Sequence, residues 1–278
     1  MSRARRLLLR VLRWYGRQPD HTGKLALMYR LAPPGRAYVP PNFIGYYRDD
    51  LLVQLDTRNY LEWWVYMFGQ YEAANVALLR RVVQPGMVVA DVGANVGLFT
   101  LLLARSATAT GQVHAFEPNP PLFQRLSENV ALNRLPNVAL FPQACAAVPG
   151  DVTFYAPAVT EINQGLGTLR PTATATPITV AATTLDAHFA AAPRLDFIKL
   201  DVEGAEALVL QGAEATLRRL RPSLLLEAEA QHGTTLRALL NQLHGLGYHV
   251  WSVDNAGLQR VHATAPVGGS WYASPATL

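Results

Sequence analysis

The chain has 278 residues, half of them hydrophobic, and this is enough for one large globular domain with an additional segment. Its single cysteine, Cys145, excludes an internal disulfide and therefore a disulfide-stapled secreted fold. Positions 1–36 hold nine basic residues and one acidic residue, whereas the rest holds fifteen basic and nineteen acidic residues, so we expect no nucleic-acid surface on the larger part.

The first segment predicts a basic helix. Two interpretations of it are open: a solvated face on a helix packed against the domain, and peripheral contact with an anionic membrane. The apolar run at residues 7–9 is too short for a signal peptide or a membrane span, so we expect a cytoplasmic protein. The arginines that form one helical stripe, at spacings of three and four residues, are Arg3, Arg6, Arg10, Arg13 and Arg17.

An aromatic cluster occupies residues 60–68 and contains Trp63, Trp64, Tyr66 and Phe68. We expect most of these side chains to pack in a hydrophobic core, because large aromatic groups bury extensive apolar area. The alternative is that they line a ligand pocket.

The most informative stretch begins at residue 87. Four uncharged residues lead into Asp91, and Gly93, Ala94, Asn95 and Gly97 follow before an apolar run. This pattern predicts a buried strand, a tight turn and a helix, which is the start of a β-α-β unit. Glycine is needed where the backbone adopts a positive φ or approaches a ligand, and the first N–H groups of the helix are free. The turn is therefore expected to hold a ligand against backbone atoms.

Asp91 bears on the kind of ligand. In dinucleotide-binding proteins a pyrophosphate lies at the N-terminus of the equivalent helix. A carboxylate at the strand end would repel that phosphate, but it suits the ammonium and sulfonium groups of S-adenosylmethionine (SAM). The glycine spacing also departs from the dinucleotide pattern, because Asn95 lies between Gly93 and Gly97. We predict SAM as the cofactor, with a dinucleotide or a plain structural turn as the alternatives.

A second short apolar run, at residues 112–116, ends in Phe116, Glu117 and Pro118. In nucleotide-binding α/β folds an acid at this position accepts hydrogen bonds from ribose hydroxyls. Pro118 ends the strand, because proline cannot donate to a sheet. This placement supports a cofactor that contains a nucleoside.

With these motifs in order, the sequence resembles the FkbM family of SAM-dependent methyltransferases over residues 80–230. The block from Lys199 to Glu206 is the most specific part of the resemblance. The matching motifs are Asp91-x-Gly-Ala-Asn-x-Gly97, Phe116-Glu117-Pro118, Asn129, Thr184-Leu-Asp186 and Lys199-Leu-Asp201-Val-Glu203-Gly204-Ala-Glu206.

The resemblance implies an α/β fold of the class I methyltransferase type, with a Rossmann-like seven-stranded sheet and helices on both faces. It also implies methyl transfer to a hydroxyl of a sugar, a lipid-linked or a natural-product acceptor. We place this domain at residues 80–278 and predict that the helical and aromatic extension at residues 1–79 caps the substrate entrance. An RNA methyltransferase that uses the basic helix for phosphate contacts is the alternative.

A third strand is predicted at residues 137–143, and the adenine of the cofactor is expected near its end, beside Ala144. Two further strands are expected at residues 151–155 and 178–181. The long connection between them, residues 157–177, is longer than most loops of compact domains, so we expect it to be functional and to close over the acceptor.

Lys199, Asp201 and Glu203 end another predicted strand, at residues 195–200. Ligands of open α/β sheets bind beyond the carboxyl ends of the strands, so both acids are expected beside the reacting centre. There a carboxylate can orient a hydroxyl and accept its proton. Lys199 would keep the acids ionised or anchor the acceptor. The alternative is that Glu203 only caps the next helix and that Asp201 pairs with Lys199.

His232 is a further candidate for the proton acceptor, because the pKa of imidazole suits this role. It follows Glu227 beyond a strand expected at residues 223–226. Glu227, Glu203 and Asp201 carry oxygen donors, but their spacing predicts no metal site. The predicted catalytic residues are Lys199, Asp201, Glu203 and His232, and the predicted cofactor contacts are Asp91, Gly93, Ala94, Asn95, Gly97, Phe116, Glu117, Pro118, Ala144 and Asp201.

The last strands are expected at residues 248–253 and near Trp271. Residues 254–257 contain Asp, Asn and Gly, which favour a tight hairpin turn. These strands would complete the sheet.

Overall fold

A computed structural model describes most of the chain and divides it into two compact units. The first unit comprises Met1–Glu72 with Pro157–Gly165, and the second comprises Ala73–Ala156 with Leu166–Leu278. The described residues are 3–40, 43–48, 50–157, 161–163, 165, 167–171, 175–228, 236–261 and 268–276.

The first unit consists of helices around a small hairpin. Its third helix begins where the side chain of Asn59 accepts a hydrogen bond from the backbone N–H of Leu61 at 3.1 Å, which is an N-cap. Within the described ranges, no helix has both the length and the apolar character needed to span a membrane. The elements are α1 (Arg3–Gly16), α2 (Lys24–Leu31), β1 (Phe43–Tyr47), β2 (Leu51–Leu55) and α3 (Tyr60–Phe68).

The aromatic residues of α3 form the core of the first unit. Trp63 is fully buried, stacks on Tyr29 with ring centroids 5.4 Å apart, and donates from its indole N–H to the carbonyl oxygen of Ala32 at 2.8 Å. The hydroxyls of Tyr29 and Tyr60 are hydrogen-bonded at 2.8 Å. Trp63 is therefore a core residue, and it exposes no surface to an acceptor.

The second unit alternates strands and helices. Its elements are α4 (Ala73–Val82), β3 (Val88–Val92), α5 (Leu98–Ala107), β4 (Gln112–Phe116), α6 (Pro120–Leu132), β5 (Val138–Phe141), β6 (Ala144–Cys145), β7 (Gly150–Ala156), β8 (Thr176–Thr183), α7 (Leu185–His188), β9 (Phe197–Leu200), α8 (Glu206–Gln211), α9 (Glu214–Leu220), β10 (Ser223–Ala228), α10 (Leu236–Gly245), β11 (His249–Asp254), β12 (Gly257–Arg260) and β13 (Gly269–Ser274).

The large sheet has the strand order β12-β11-β13-β10-β9-β3-β4-β5 among the described residues. Strands β10, β9, β3, β4 and β5 are parallel, and β13 is antiparallel to both of its neighbours, β10 and β11. This arrangement confirms the predicted α/β class I methyltransferase fold. The sheet has an eighth strand because the predicted turn after Asp254 returns the chain as β12, which pairs with β11.

Helices cover both faces of the large sheet. Val89, Ala90, Asp91 and Val92 are buried in succession, although neighbouring side chains of a strand point to opposite faces. One face packs Ala90 and Val92 with residues of the helices that follow β8, β9 and β10. On the other face, α5 packs against β3 and β4. The carboxyl ends of the central strands are therefore held between two packed layers.

A second sheet of three strands, in the order β6-β8-β7, lies in the same unit. Strands β7 and β8 form an antiparallel pair, in register from Gly150 opposite Ala182 to Ala156 opposite Thr176. This pair agrees with the two strands expected on either side of the long connection.

Candidate functional site

The strand order of the large sheet reverses between β3 and β9. Strands β4 and β5 extend the sheet from β3, and β10 extends it from β9. The backbone N–H of Asp201, just beyond β9, donates to the carbonyl oxygen of Val92 at 3.0 Å. The loops after β3 and β9 thus leave the sheet side by side, at a topological switch point where α/β folds bind ligands.

The loop after β3 is held by the end of β4. The backbone N–H groups of Gly93 and Ala94 donate to the carbonyl oxygen of Phe116 at 3.0 and 2.9 Å. Gly93 and Asn95 have φ values of 80° and 52°. The side chain of Asn129, a residue of the family motif, donates to the carbonyl oxygen of Val96 at 2.8 Å. These contacts fix the loop from outside, and Oδ1 of Asn95 adds a contact within it by accepting the backbone N–H of Val96 at 2.7 Å.

Two glycines of the loop stand where a side chain would disturb the structure, Gly93 by colliding with backbone and Gly97 chiefly through its positive φ. A Cβ atom at Gly93 would lie 1.8 Å from the carbonyl oxygen of Asp201, and one at Gly97 would lie 2.7 Å from Cδ1 of Leu126. Gly97, with φ of 95°, precedes α5. Gly93 therefore allows the β3 and β9 loops to touch, and Gly97 allows α6 to approach.

Glu117 joins the same loop from β4. One carboxylate oxygen accepts the backbone N–H of Asn95 and the other accepts that of Asn119, both at 2.8 Å. Burial raises the pKa of Glu117 to about 7, although these two hydrogen bonds act to lower it. Pro118 is half-buried beside it. Each oxygen of Glu117 retains a lone pair with which it can accept a further hydrogen bond.

Asp91 supports the loop from inside the sheet. It is fully buried, and Oδ2 accepts a hydrogen bond from the hydroxyl of Thr100 at 2.6 Å. Oδ1 has no hydrogen-bond partner within the described part of the chain. Burial raises the pKa of Asp91, and Lys199 and Thr100 oppose this shift. The direct contact between Asp91 and a ligand stays a prediction, because Asp91 is buried and the partly exposed residues of this loop are Gly93 and Asn95.

Lys199 connects the acids of β3 and β9. It is the register partner of Asp91 on the neighbouring strand, and its Nζ lies 2.9 Å from Oδ2 of Asp201. The ammonium group also lies 4.9 Å from the ring centroid of Phe99. Burial by itself raises the pKa of Asp201, but the charge of Lys199, the interaction with Glu227 and the hydrogen bond from Lys199 outweigh it and lower this pKa. Asp201 is thus held ionised.

Three carboxylates converge at the carboxyl ends of β9 and β10. The nearest carboxylate oxygens of Asp201, Glu203 and Glu227 lie within 4.8 Å of one another, and all three residues are partly exposed. Oxygen donors at such separations are the ligands that a divalent cation takes, although Lys199 already compensates Asp201 in this arrangement. The same cluster can bind and deprotonate a hydroxyl group.

The backbone that carries Glu203 is strained and held in place. Glu203 and Gly204 have φ values of 50° and 91°. The hydroxyl of Thr168 donates to the carbonyl oxygen of Glu203 at 2.7 Å, and Nε of Arg170 donates to that of Gly204 at 2.6 Å. Sequence reasoning missed Thr168 and Arg170, because they lie over thirty residues away in a segment interpreted only as a closing loop.

Some predicted residues lie elsewhere. Ala144 packs in the core of the small sheet with Phe154, so its contact with adenine stays a prediction. His232 lies outside the described residues. Asp186, from the family motif, accepts the backbone N–H groups of Ala215 and Thr216 at 3.1 and 2.6 Å, and it therefore caps the start of α9.

The sheet order and the loops at the switch point define an α/β domain of the class I methyltransferase type. The chain belongs to the FkbM methyltransferase family, because the model of the methyltransferase FkbM domain matches residues 91–250, more than half of the chain. This assignment confirms the resemblance predicted from the motifs.

One curated relative is hexuronic acid methyltransferase AglP from Haloferax volcanii. It is 30% identical over 144 residues, which cover 51% of this chain and 56% of the relative. The match thus spans little more than half of the relative's length.

Solved structures with a similar fold include methyltransferase FkbM from Methylobacillus flagellatus KT. It has 16% identity and a TM-score of 0.45, and the match covers 71% of this chain and 50% of that one. A SAM-dependent O-methyltransferase from Thermotoga maritima has 13% identity and a TM-score of 0.44, with 75% and 67% of the two chains covered.

Proposed function

We propose that this protein transfers a methyl group from SAM to a hydroxyl oxygen of a sugar or natural-product acceptor. The observation that carries the proposal is the contact between the loop at Gly93 and the backbone of Asp201. It joins a backbone-lined loop of the cofactor-binding type to a cluster of three carboxylates. Membership of the FkbM family supports the reaction class.

The residues at the switch point fit SAM. Gly93 and Asn95 are the partly exposed residues of the loop, and Glu117 offers carboxylate lone pairs for ribose hydroxyls. Oδ1 of Asp201 is buried and has no hydrogen-bond partner among the described residues, so it can accept a hydrogen bond from the cofactor or the acceptor. When bound, SAM supplies an electrophilic methyl carbon.

We assign different roles in the reaction to two of the carboxylates. The lowered pKa of Asp201 makes it a weak base, so we assign it to orienting the acceptor hydroxyl. Glu203 then accepts the hydroxyl proton, because the contacts from Thr168 and Arg170 fix its backbone. Lys199 keeps Asp201 ionised throughout. His232 is retained as the alternative proton acceptor.

A sugar hydroxyl is the acceptor that we favour. The relative from Haloferax volcanii supports this choice, since that protein is named a hexuronic acid methyltransferase. A nucleic-acid acceptor fits less well, because the three carboxylates would repel phosphate groups near the reacting hydroxyl.

Calorimetric titration tests the cofactor, and we expect SAM to bind and NADH not to bind. Labelled SAM is then incubated with protein and an extract of the source cells, and the labelled product is identified. We expect a methylated glycan or small molecule that survives ribonuclease. NADH binding without SAM binding would refute the proposal. A label lost on ribonuclease treatment would instead assign an RNA acceptor.

Variants then test the assigned roles. Glu203→Gln is expected to lower methyl transfer about a hundredfold or more, in line with the loss of a general base. Asp201→Asn is also expected to lower it, because the acceptor hydroxyl is then less well oriented. The matched control is Asp151→Asn, which removes an exposed acid on the small sheet. If all three variants turned over substrate like the parent protein, neither acid would have the role assigned to it.

A further inference from the structure

The two faces of α1 differ in an unexpected way. Leu9 and Leu12 are each only 4% exposed, and a Cβ atom at Gly16 would lie 2.5 Å from the carbonyl oxygen of Met67, so this face packs closely against α3. The opposite face is not polar. It presents Leu7, Val11 and Trp14, which are 63%, 52% and 65% exposed.

These three side chains form one continuous row, called here the outer apolar row. Leu7, Val11 and Trp14 are separated by four and three residues, the spacing that aligns side chains along one face of a helix. An apolar face pointing away from the packed face is unusual for a helix of a protein surrounded only by water.

Exposed arginines flank the outer apolar row. Arg10 is three residues from Leu7 and four from Trp14, so it neighbours both on the helix surface, and it is exposed together with Arg3 and Arg6. Arg13 departs from the predicted stripe. Its Nε donates to the carbonyl oxygen of Tyr66 at 3.1 Å, and its guanidinium carbon lies 4.3 Å from the Tyr66 ring centroid.

The surroundings of α1 add apolar surface and positive charge. In the same unit, α2 exposes Leu25, Leu27 and Leu31. Positions 1–36 hold nine basic residues against one acidic residue. A surface that combines exposed apolar groups, a tryptophan and arginines, with basic residues in large excess over acidic ones, complements the headgroups and outer acyl region of an anionic bilayer.

We propose that α1 binds peripherally to an anionic lipid bilayer, with the outer apolar row inserted at the headgroup level and the flanking arginines on lipid phosphates. An RNA partner would account for the arginines but leaves the apolar row in water. The proposal is independent of the methyl-transfer reaction, because it rests only on residues of the first unit.

Flotation of the full chain with vesicles tests the proposal. Vesicles of phosphatidylcholine alone are compared with vesicles that also contain phosphatidylglycerol. We expect flotation with the anionic vesicles only, weakened by salt, and a blue shift of fluorescence that Trp14→Phe abolishes. The triple variant Leu7→Ser, Val11→Ser, Trp14→Ser should bind at least about tenfold more weakly.

Val148→Ser is the matched control, because it removes an apolar side chain that is 66% exposed in the second unit. It should float like the parent protein. Absence of flotation with anionic vesicles would overturn the proposal, as would equal flotation of the triple variant and the parent. Salt-sensitive binding to single-stranded RNA, without vesicle binding, would assign the helix to nucleic acid and overturn it as well. Unchanged thermal unfolding shows that the triple variant is folded.

Discussion

The Cα of Gly93 lies so close to the backbone of Asp201 that an added Cβ would stand 1.8 Å from the Asp201 carbonyl oxygen. Gly93 also has a φ of 80°, which alanine adopts only with strain. Gly93→Ala must therefore push the cofactor loop away from the acidic loop. We expect a loss of about 2–4 kcal/mol of unfolding free energy and at least about hundredfold weaker SAM binding, measured by urea unfolding and calorimetry.

Gly150→Ala separates the effect of backbone strain from the effect of the collision between the two loops. Gly150 has a φ of 131°, but a Cβ there would meet no atom within 4 Å. The variant introduces backbone strain without the collision, so its cost should be about 1–3 kcal/mol of unfolding free energy, and SAM binding should not change. If both variants bound SAM like the parent, the contact between the two loops would not matter for the cofactor.

Lys199→Met tests the charge that serves both central acids. Lys199 is buried and pairs with Asp201 at 2.9 Å. Its charge also opposes the rise that burial causes in the pKa of Asp91. Removing one partner of a buried ion pair costs about 3–5 kcal/mol, because it leaves uncompensated charge inside the protein. We expect urea unfolding to show that Lys199→Met loses this much unfolding free energy and that Asp201→Asn loses less.

The matched control for Lys199 is Arg218→Met. Arg218 pairs with Glu214 at 2.8 Å, but both side chains are more than half exposed. Solvent screens such a pair, so the change should stay below about 0.5 kcal/mol. Equal effects of Lys199→Met and Arg218→Met would show that the buried lysine is not needed to compensate the acids.

Glu117 predicts a pH dependence with opposite signs for affinity and stability. Its pKa is raised to about 7 by burial, so its carboxylate form declines as the pH falls below that value. Because ribose hydroxyls donate to the carboxylate, SAM binding should be about tenfold weaker near pH 6 than near pH 8. Calorimetry at several pH values measures this trend, which Glu117→Gln should abolish.

The contribution of Glu117 to stability runs the other way. Its unfolded pKa of 4.5 lies below the folded value of about 7, so the folded state binds the proton more tightly. This contribution is complete below the unfolded pKa and is lost as the pH rises through the folded pKa. If the affinity of Glu117→Gln kept the parent's pH dependence, the titrating group would be another residue.

The sequence predicts the parts of this site that depend on local pattern. The strand, glycine turn and helix around Gly93 are readable because each imposes its own residue types. Loops after parallel strands leave at one sheet edge, which accounts for the convergence of Gly93, Glu117 and Asp201 there. The eighth strand was not predicted, because residues 257–260 are short and mostly polar.

The sequence did not predict the features of the structure that depend on contacts between distant residues. Whether a charged side chain faces water or the protein depends on its packing partners, and Arg13 turns toward Tyr66, 53 residues away. Asp91 accepts a hydrogen bond from Thr100 inside the protein, a pairing that the sequence did not indicate, while its contact with a ligand stays a prediction. No local pattern specifies these pairings.

Asp186 provides a test of structure against function within the family motif. Both carboxylate oxygens accept backbone N–H groups at the start of α9, where the N-cap residue, Ala213, has no side-chain cap. Asp186→Ala should therefore cost about 1–2 kcal/mol in urea unfolding and leave SAM affinity unchanged. Glu117→Gln is the comparison, since it should weaken SAM binding. If Asp186→Ala lost more binding free energy for SAM than unfolding free energy, this acid would belong to the binding site.

Arg170→Met and Thr168→Val test whether the strained backbone of Glu203 matters for the reaction. Each variant leaves one carbonyl oxygen of the Glu203–Gly204 pair without the side chain that now donates to it. The strain at φ of 50° would then relax, and Glu203 would lose its position relative to Asp201. Misplaced catalytic groups lower the turnover of bound substrate, so methyl transfer should fall about tenfold or more.

SAM affinity should remain near the parent value in both variants, because the hydrogen bonds that hold the cofactor loop come from Phe116 and Glu117. Turnover is measured with the acceptor that the labelling experiment identifies, and calorimetry measures SAM binding. Arg219→Met is the matched control, since Arg219 donates to the carbonyl oxygens of Phe189 and Ala192 away from the acids. Unchanged turnover in Arg170→Met and Thr168→Val would mean that Glu203 needs no such support, and its assignment as the proton acceptor would then lose its structural basis.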